Sequence, residues 1–157
     1  MAMSAHQERQ AGLPSRFARE VLHTPLDSDE LRAINEQRGG FGAHIGLVTT
    51  SCSADRATGY VEVGPQLLQV TGVVNGGVYA SIGETLGSIG AIAAAGRPAV
   101  GMSNYTDLLG SVAEGRIEAE ALPVHTGKRT HLWRVEQRAG GRLVAVTNLK
   151  LMLIDAP

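Results

Sequence analysis

Cysteine is almost missing from this chain. Cys52 is the only one among 157 residues, which excludes an internal disulfide and a cysteine-rich metal site, and fits a reducing compartment such as the cytoplasm. The five histidines, His6, His23, His44, His125 and His131, show no metal-ligand spacing, so neither a metal nor any other cofactor is expected. Positive charge is not in excess either. Lys and Arg number 14 against 15 Asp and Glu, a formal net charge of -1, too little to grip a nucleic-acid backbone. The opening residues, Met-Ala-Met-Ser-Ala-His-Gln-Glu-Arg-Gln, lack the apolar core of a signal peptide. No serine nucleophile elbow or phosphate-cradling P-loop occurs, and Cys52 has no evident base to activate it.

What the chain does hold is a long apolar stretch with one charge in it. Between Val70 and Gly96 the only charged residue is Glu84. After Gly77 the spacing predicts a helix, because Val78, Ile82, Ile89 and Ile92 recur at three-and-four intervals as an apolar stripe. Gly83, Gly87 and Gly90 form an adjoining strip, which makes sense only where another element packs very close. Ser81, Glu84 and Ser88 share a third face. A carboxylate on a helix with no charged face needs a partner or a purpose, since burial penalises its ionised form. By length alone the helix could cross a bilayer. The mid-helix acid, the glycines and the lack of basic flanks beyond Arg97 argue against that, so no membrane partner is expected.

At 157 residues and 43% hydrophobic, the chain fits one domain with a real core, residues 15–157, behind a polar tail of residues 1–14. Leu26 to Arg38 reads as a short helix, capped by Asp27 or Ser28 and stopped by Gly39-Gly40. His44 to Cys52 and Arg56 to Val63 read as strands about a turn at Ser53-Ala54-Asp55. Pro65 breaks that pattern, Gln66 to Asn75 is a loop, and Gly96-Arg97-Pro98 ends the long helix. Val100 to Leu109, Arg116 to His125, Arg129 to Arg138 and Arg142 to Ile154 alternate apolar and polar, the last three as consecutive hairpins. The fold class is α+β: about six antiparallel strands wrapped around one helix.

Asn75-Gly76-Gly77 stands where loop becomes helix. Its backbone N–H groups lie at the positive end of the dipole and can hold a developing negative charge on a carbonyl oxygen. An ordinary Asn cap followed by turn glycines explains the same residues. Glu84 lies eight residues on, about 12 Å along the helix, too far to act on the same carbonyl within one chain. Two antiparallel copies of the helix in a two-fold dimer would bring Glu84 and Ser88 of one to Gly76 of the other.

The block Gln69-x5-Asn-Gly-Gly-Val-Tyr-x4-Glu84, followed by Ser103-Asn-Tyr-Thr-Asp107, Glu114-Gly115, and His125-Thr-Gly-Lys-Arg-Thr130 with Trp133, resembles the hotdog-fold acyl-CoA thioesterases. Among them it looks most like the PaaI-type and 4-hydroxybenzoyl-CoA thioesterases that carry a catalytic Glu on the central helix. The resemblance covers about residues 41–154. It implies that Glu84 is nucleophile or general base, that the Gly76 amide polarises the thioester carbonyl, that Gln69 orients it, and that Ser88 supports the Glu. Asn75 stands where the family's His is usual, and as a cap it can preserve the amide beside it. The resemblance also puts Gly77, Ser103 and Asn104 on the substrate side, with Lys128, Arg129 and Thr130 by the CoA phosphates. Without it, Lys128-Arg129 reads as a solvated hairpin tip. Leu109-Gly110-Ser111 replaces an aromatic-Arg-Pro stretch common in the family.

The expected activity is hydrolysis of an acyl-CoA thioester by a homodimer, assembled further into a homotetramer. The alternative from another class is a hotdog protein that binds acyl-CoA or acyl-carrier protein without turnover. Hydratase or dehydratase chemistry on the same fold would need a His-containing pair that the chain lacks. With aromatics at 4%, the sequence does not choose between aromatic and aliphatic acyl groups.

Overall fold

The computed structural model describes residues 12–36 and 40–155. The expected tail therefore falls mostly outside the described residues, as do Arg38 and Gly39 at the expected end of the first helix.

That helix, α1, runs Ser28–Asn35. Its start is a reciprocal capping box: Asp27 accepts from the Asp29 and Glu30 amides, and the Glu30 carboxylate accepts from the Asp27 amide, each at 2.9 Å, which satisfies donors the helix itself leaves open. Arg16 grips the same Glu30 through two N–H groups, each at 2.7 Å, and reaches the carbonyls of Thr24 and Pro25. The Arg16 guanidinium holds the Glu30 carboxyl below the usual carboxylate range. This tie thus contributes at neutral pH and is lost as pH falls through that lowered value.

The expected strand from His44 starts later. Phe41–His44 is a short helix, α2, and β1 is Val48–Cys52. Gly40 and Gly46 take φ of 133° and 74°, conformations that belong to glycine and break an extended run at both ends of α2. Ile45 is buried at the helix end, and so mimics the inward beat of a strand.

The remaining strands are β2 (Ala57–Glu62), β3 (Ala99–Leu108), β4 (Arg116–Thr126), β5 (Thr130–Ala139) and β6 (Arg142–Leu153). They form one antiparallel sheet in the order β1-β2-β4-β5-β6-β3. The expected consecutive hairpins hold for β4, β5 and β6, while β3 crosses over to the far edge beside β6.

A long helix, α3, fills the concave face over Gly76–Ala95 and ends at Gly96, left-handed at φ 64°. Its length and apolarity would suit a bilayer, yet most of its buried residues lie on the sheet. The expected glycine strip is the contact. A Cβ at Gly83 would collide with the Thr147 side chain, one at Gly87 would meet Leu149 at 2.8 Å, and one at Gly90 would meet Trp133 at 2.6 Å. The apolar stripe, however, divides. Val78 and Ile82 join the sheet-side core, whereas Ile89 and Ile92 pack beneath Phe17, Leu22 and Leu26. The N-terminal segment that covers them is pinned by its backbone, Leu22 N–H donating to Ala93 O at 2.9 Å and Ala54 N–H to Leu22 O at 2.8 Å. A helix with cover on two sides needs apolar residues on more than one face.

Cys52 lies inside this second cluster, fully buried, and burial pushes its thiol up to about 12. An aromatic disulfide reagent is expected to leave Cys52 unlabelled in the native protein and to label it fully in denaturant, because the thiolate is the reactive form. Stoichiometric labelling of the native chain within minutes would contradict the burial.

Candidate active site

Glu84 sits halfway along α3 on the side facing the edge strand β3. Its Oε2 accepts a hydrogen bond from Asn104 Nδ2 at 3.0 Å, and the same nitrogen donates to Ala80 O at 2.9 Å. Room for the carboxylate comes from Gly101, where a Cβ would stand 2.6 Å from Glu84 Oε1. Phe41, Ala80, Ser81 and Thr85 complete a cleft of about 350 Å³. Among the described residues Glu84 is the only charged side chain lining it, half-buried, and no cation pairs with it. A carboxylate so placed keeps one oxygen oriented by an amide and the other free to take a proton.

Phe41 and Thr85 also border a second pocket of about 330 Å³, lined by Leu13, Phe17, Ile34, Leu47 and Ile89 among others. This is an apolar space next to the acid, roofed by the N-terminal segment.

Most of the other residues singled out in the sequence form two groups at the ends of α3. At its start, the Asn75 side chain accepts from Gly77 N–H at 2.8 Å, so the expected cap is made and the Gly77 amide is used. Among the described residues no hydrogen bond engages the Gly76 amide, which leaves a donor at the positive end of the helix. The Leu108 side chain lies against Gly76, 2.7 Å from where a Cβ would stand. Gln69 is exposed at the turn before the helix and donates to Thr71 Oγ1 at 2.8 Å. At the far end, Lys128, Arg129 and Thr130 form the exposed β4–β5 turn and the start of β5. Arg97 joins them, donating to Lys128 O and pairing with Asp155 at 3.2 Å. Ser88 is half-buried one turn beyond Glu84, and Ser103 is exposed beside the β3 bulge.

A single chain therefore brings together Glu84 and Asn104 and keeps them apart from Gly76 and Gln69, about 12 Å along the helix. Three contributors go unread in the sequence. Gly101 has a signal, since a glycine inside a strand often marks a close approach. Phe41 and Arg97 have none, because only the folded path of the chain carries them to their places.

Residues 71–146 match the thioesterase superfamily profile. A Mycobacterium tuberculosis protein named "Putative esterase" is 39% identical over 122 residues, spanning 74% of this chain and 87% of that one. The chain belongs to the thioesterase superfamily. The solved structure of the mycobacterial protein superimposes with a TM-score of 0.73 at 36% identity, covering 74% of this chain and 98% of the other. A mutant of the phenylacetic acid degradation protein PaaI from Thermus thermophilus is 28% identical, with a TM-score of 0.66, over 73% of this chain and 98% of that one. A Haemophilus influenzae thioesterase at 23% identity shares the fold with a TM-score of 0.77, over 87% of this chain and 96% of its own. The expected hotdog architecture, a six-stranded antiparallel sheet around one long helix, is thus that of this thioesterase, and the resemblance read from the sequence holds.

Proposed function

We propose that this superfamily member hydrolyses acyl-CoA thioesters at a site completed by a second copy of the chain. The observation that carries the reading is Glu84, the one carboxylate of its cleft, held by Asn104 with an oxygen left free. In this reading Glu84 takes a proton from water as that water's oxygen bonds to the thioester carbon. The C–S bond then breaks, the acid leaves, and the CoA sulfur receives the proton. Direct attack by Glu84, with an anhydride hydrolysed in a second step, uses the same geometry. The Gly76 amide meets the carbonyl oxygen, Gln69 lies beside it, and Ser88 supports the acid. The Lys128, Arg129 and Thr130 turn, with Arg97, suits the CoA phosphates. The apolar pocket beyond Phe41 suits the acyl group.

Support for the second copy comes from β3. It is one of the two edge strands, and it leaves Val100, Met102, Tyr105 and Leu108 exposed to solvent, Tyr105 at 67% exposure. An unpaired edge with exposed apolar side chains is one that proteins normally cover. Antiparallel pairing of two β3 strands about a two-fold axis, with Asn104 or Tyr105 opposite its own copy, would bring the partner's Leu108, and the Gly76 beneath it, close to the Gly101 that faces Glu84. Pairing of such dimers into a tetramer follows the same expectation from the family.

The test uses Gly76→Pro, which deletes the amide donor at a helix position that accepts Pro and follows an Asn75 already extended at φ -63° and ψ 137°. Free thiol release is measured on acetyl-, hexanoyl-, palmitoyl-, benzoyl- and phenylacetyl-CoA. Glu84→Gln and Gly76→Pro are each expected to be inactive. Refolded together they should recover about one quarter of the parental rate, because half the dimers are mixed and each mixed dimer has one intact site. No recovery overturns the shared site, and no thiol release by the parent on any ester overturns the activity. Binding of those esters by calorimetry without release would then favour the non-hydrolytic alternative, which the Leu108 side chain over Gly76 also fits.

A further inference from the structure

Glu84 is not held by Asn104 alone. The Asn104 amide is itself fixed: Thr106 Oγ1 donates to its Oδ1 at 2.8 Å, and its Nδ2 faces two groups that can only accept, Ala80 O and the Glu84 carboxylate. Thr106 Oγ1 also lies 2.8 Å from Thr147 Oγ1, directly across the β3–β6 pair. A hydroxyl has one proton to give. Since Thr106 spends its own on Asn104, Thr147 must be the donor to Thr106. Thr147 then accepts from Gln137 Nε2 at 3.3 Å, while that nitrogen donates to Tyr79 O at 2.9 Å. Both ends are thus anchored on consecutive residues of α3, Tyr79 and Ala80, and Gln137 is fully buried.

On the reading that Glu84 carries the reaction, we propose that a one-way run of donors from Gln137 through Thr147, Thr106 and Asn104 aims its carboxylate, with Asn104 and Thr106 as positioning residues. Every link has its polarity forced by its neighbours, so the amide of Asn104 cannot flip to present its oxygen to Glu84. Such preorganisation places a general base without reorganisation at the moment of reaction. The described residues around the carboxylate, Phe41 from α2, Ala80, Ser81 and Thr85 from α3, and Gly101 and Asn104 from β3, include no other charged group that could do this instead.

The experiment compares Thr106→Val, Thr106→Ser and Thr147→Val in the full chain with the parent and with Glu84→Gln, on whichever of the five CoA esters the parent cleaves fastest. Thr106→Val, which keeps the shape and loses the hydroxyl, is expected to lower kcat on the order of tenfold with KM unchanged. Thr106→Ser should restore it, and Thr147→Val should fall with Thr106→Val. Full activity of Thr106→Val beside an inactive Glu84→Gln would overturn the relay and leave the hydrolytic reading intact; full activity of Glu84→Gln would overturn both. A readout free of turnover is the side-chain amide NMR signal of Asn104. It should shift in Thr106→Val and return in Thr106→Ser, and an unmoved signal sinks the relay even if no ester is cleaved.

Discussion

Glu84→Gln is expected to lower kcat/KM for the preferred thioester by about 10²- to 10⁴-fold, the range for loss of a general base, without loss of stability. The two halves of that result follow from the same geometry. Glutamine keeps an oxygen for Asn104 and fits the space beside Gly101, but it cannot take a proton. Among the described residues nothing else in the cleft can replace it, since Glu84 is the only ionisable group there. Glu84→Asp withdraws the carboxylate by one methylene and should retain little of the rate, because a displacement of about 1 Å costs roughly 10²-fold. Glu84→Leu goes further. No cation partners the acid among the described residues, and its neighbours Phe41 and Ala80 are apolar. An aliphatic side chain is therefore expected to unfold at or above the parental Tm while being inactive. A residue whose removal stabilises the protein and abolishes activity is one kept for chemistry. Unchanged kcat/KM in Glu84→Gln would remove the carboxylate from the mechanism.

The legibility of this site in the sequence is uneven, for physical reasons. Glu84 stands out because it is the lone charge in an apolar helix, and the glycine strip announces a close contact before any partner is visible. Hairpin turns such as Ala139-Gly140-Gly141 locate β5 and β6 because turn chemistry is local. The helix at Phe41–His44 is hidden because four residues are too few to establish a period, and Ile45 beyond them points inward as a strand residue would. Ile89 and Ile92 share the stripe of Val78 and Ile82 but not its cover, because periodicity gives the angle of a side chain about the helix and not what lies opposite. The partners of Glu84 are the least legible. Asn104 is 20 residues away from it, and Thr147 lies 41 from Thr106, so nothing short of the strand order β5-β6-β3 predicts that they meet.

Trp133→Ala is expected to cost about 3–5 kcal/mol of stability, the range for truncating a large aromatic in a core that cannot collapse around the gap. Trp133 is fully buried on β5, and its six-membered ring lies over Gly90, whose virtual Cβ falls within 3.0 Å of three ring carbons. The contact makes Gly90 sensitive in the opposite direction. Gly90→Ala would ordinarily help a helix by about 1 kcal/mol, but here the methyl group meets the indole and overpacking of about 1–3 kcal/mol opposes the gain. The two sites therefore couple. In a Trp133→Leu background, where the ring carbons nearest Gly90 are gone, Gly90→Ala should change sign and stabilise. Urea denaturation of the four chains at one fixed protomer concentration, needed because association would shift apparent stability, gives the cycle directly. Independent effects, additive within about 0.5 kcal/mol, would mean that the helix does not rest on the indole. The seating of α3, and with it the reach of Glu84 to Asn104, would then have to come from Gly83 and Gly87 alone.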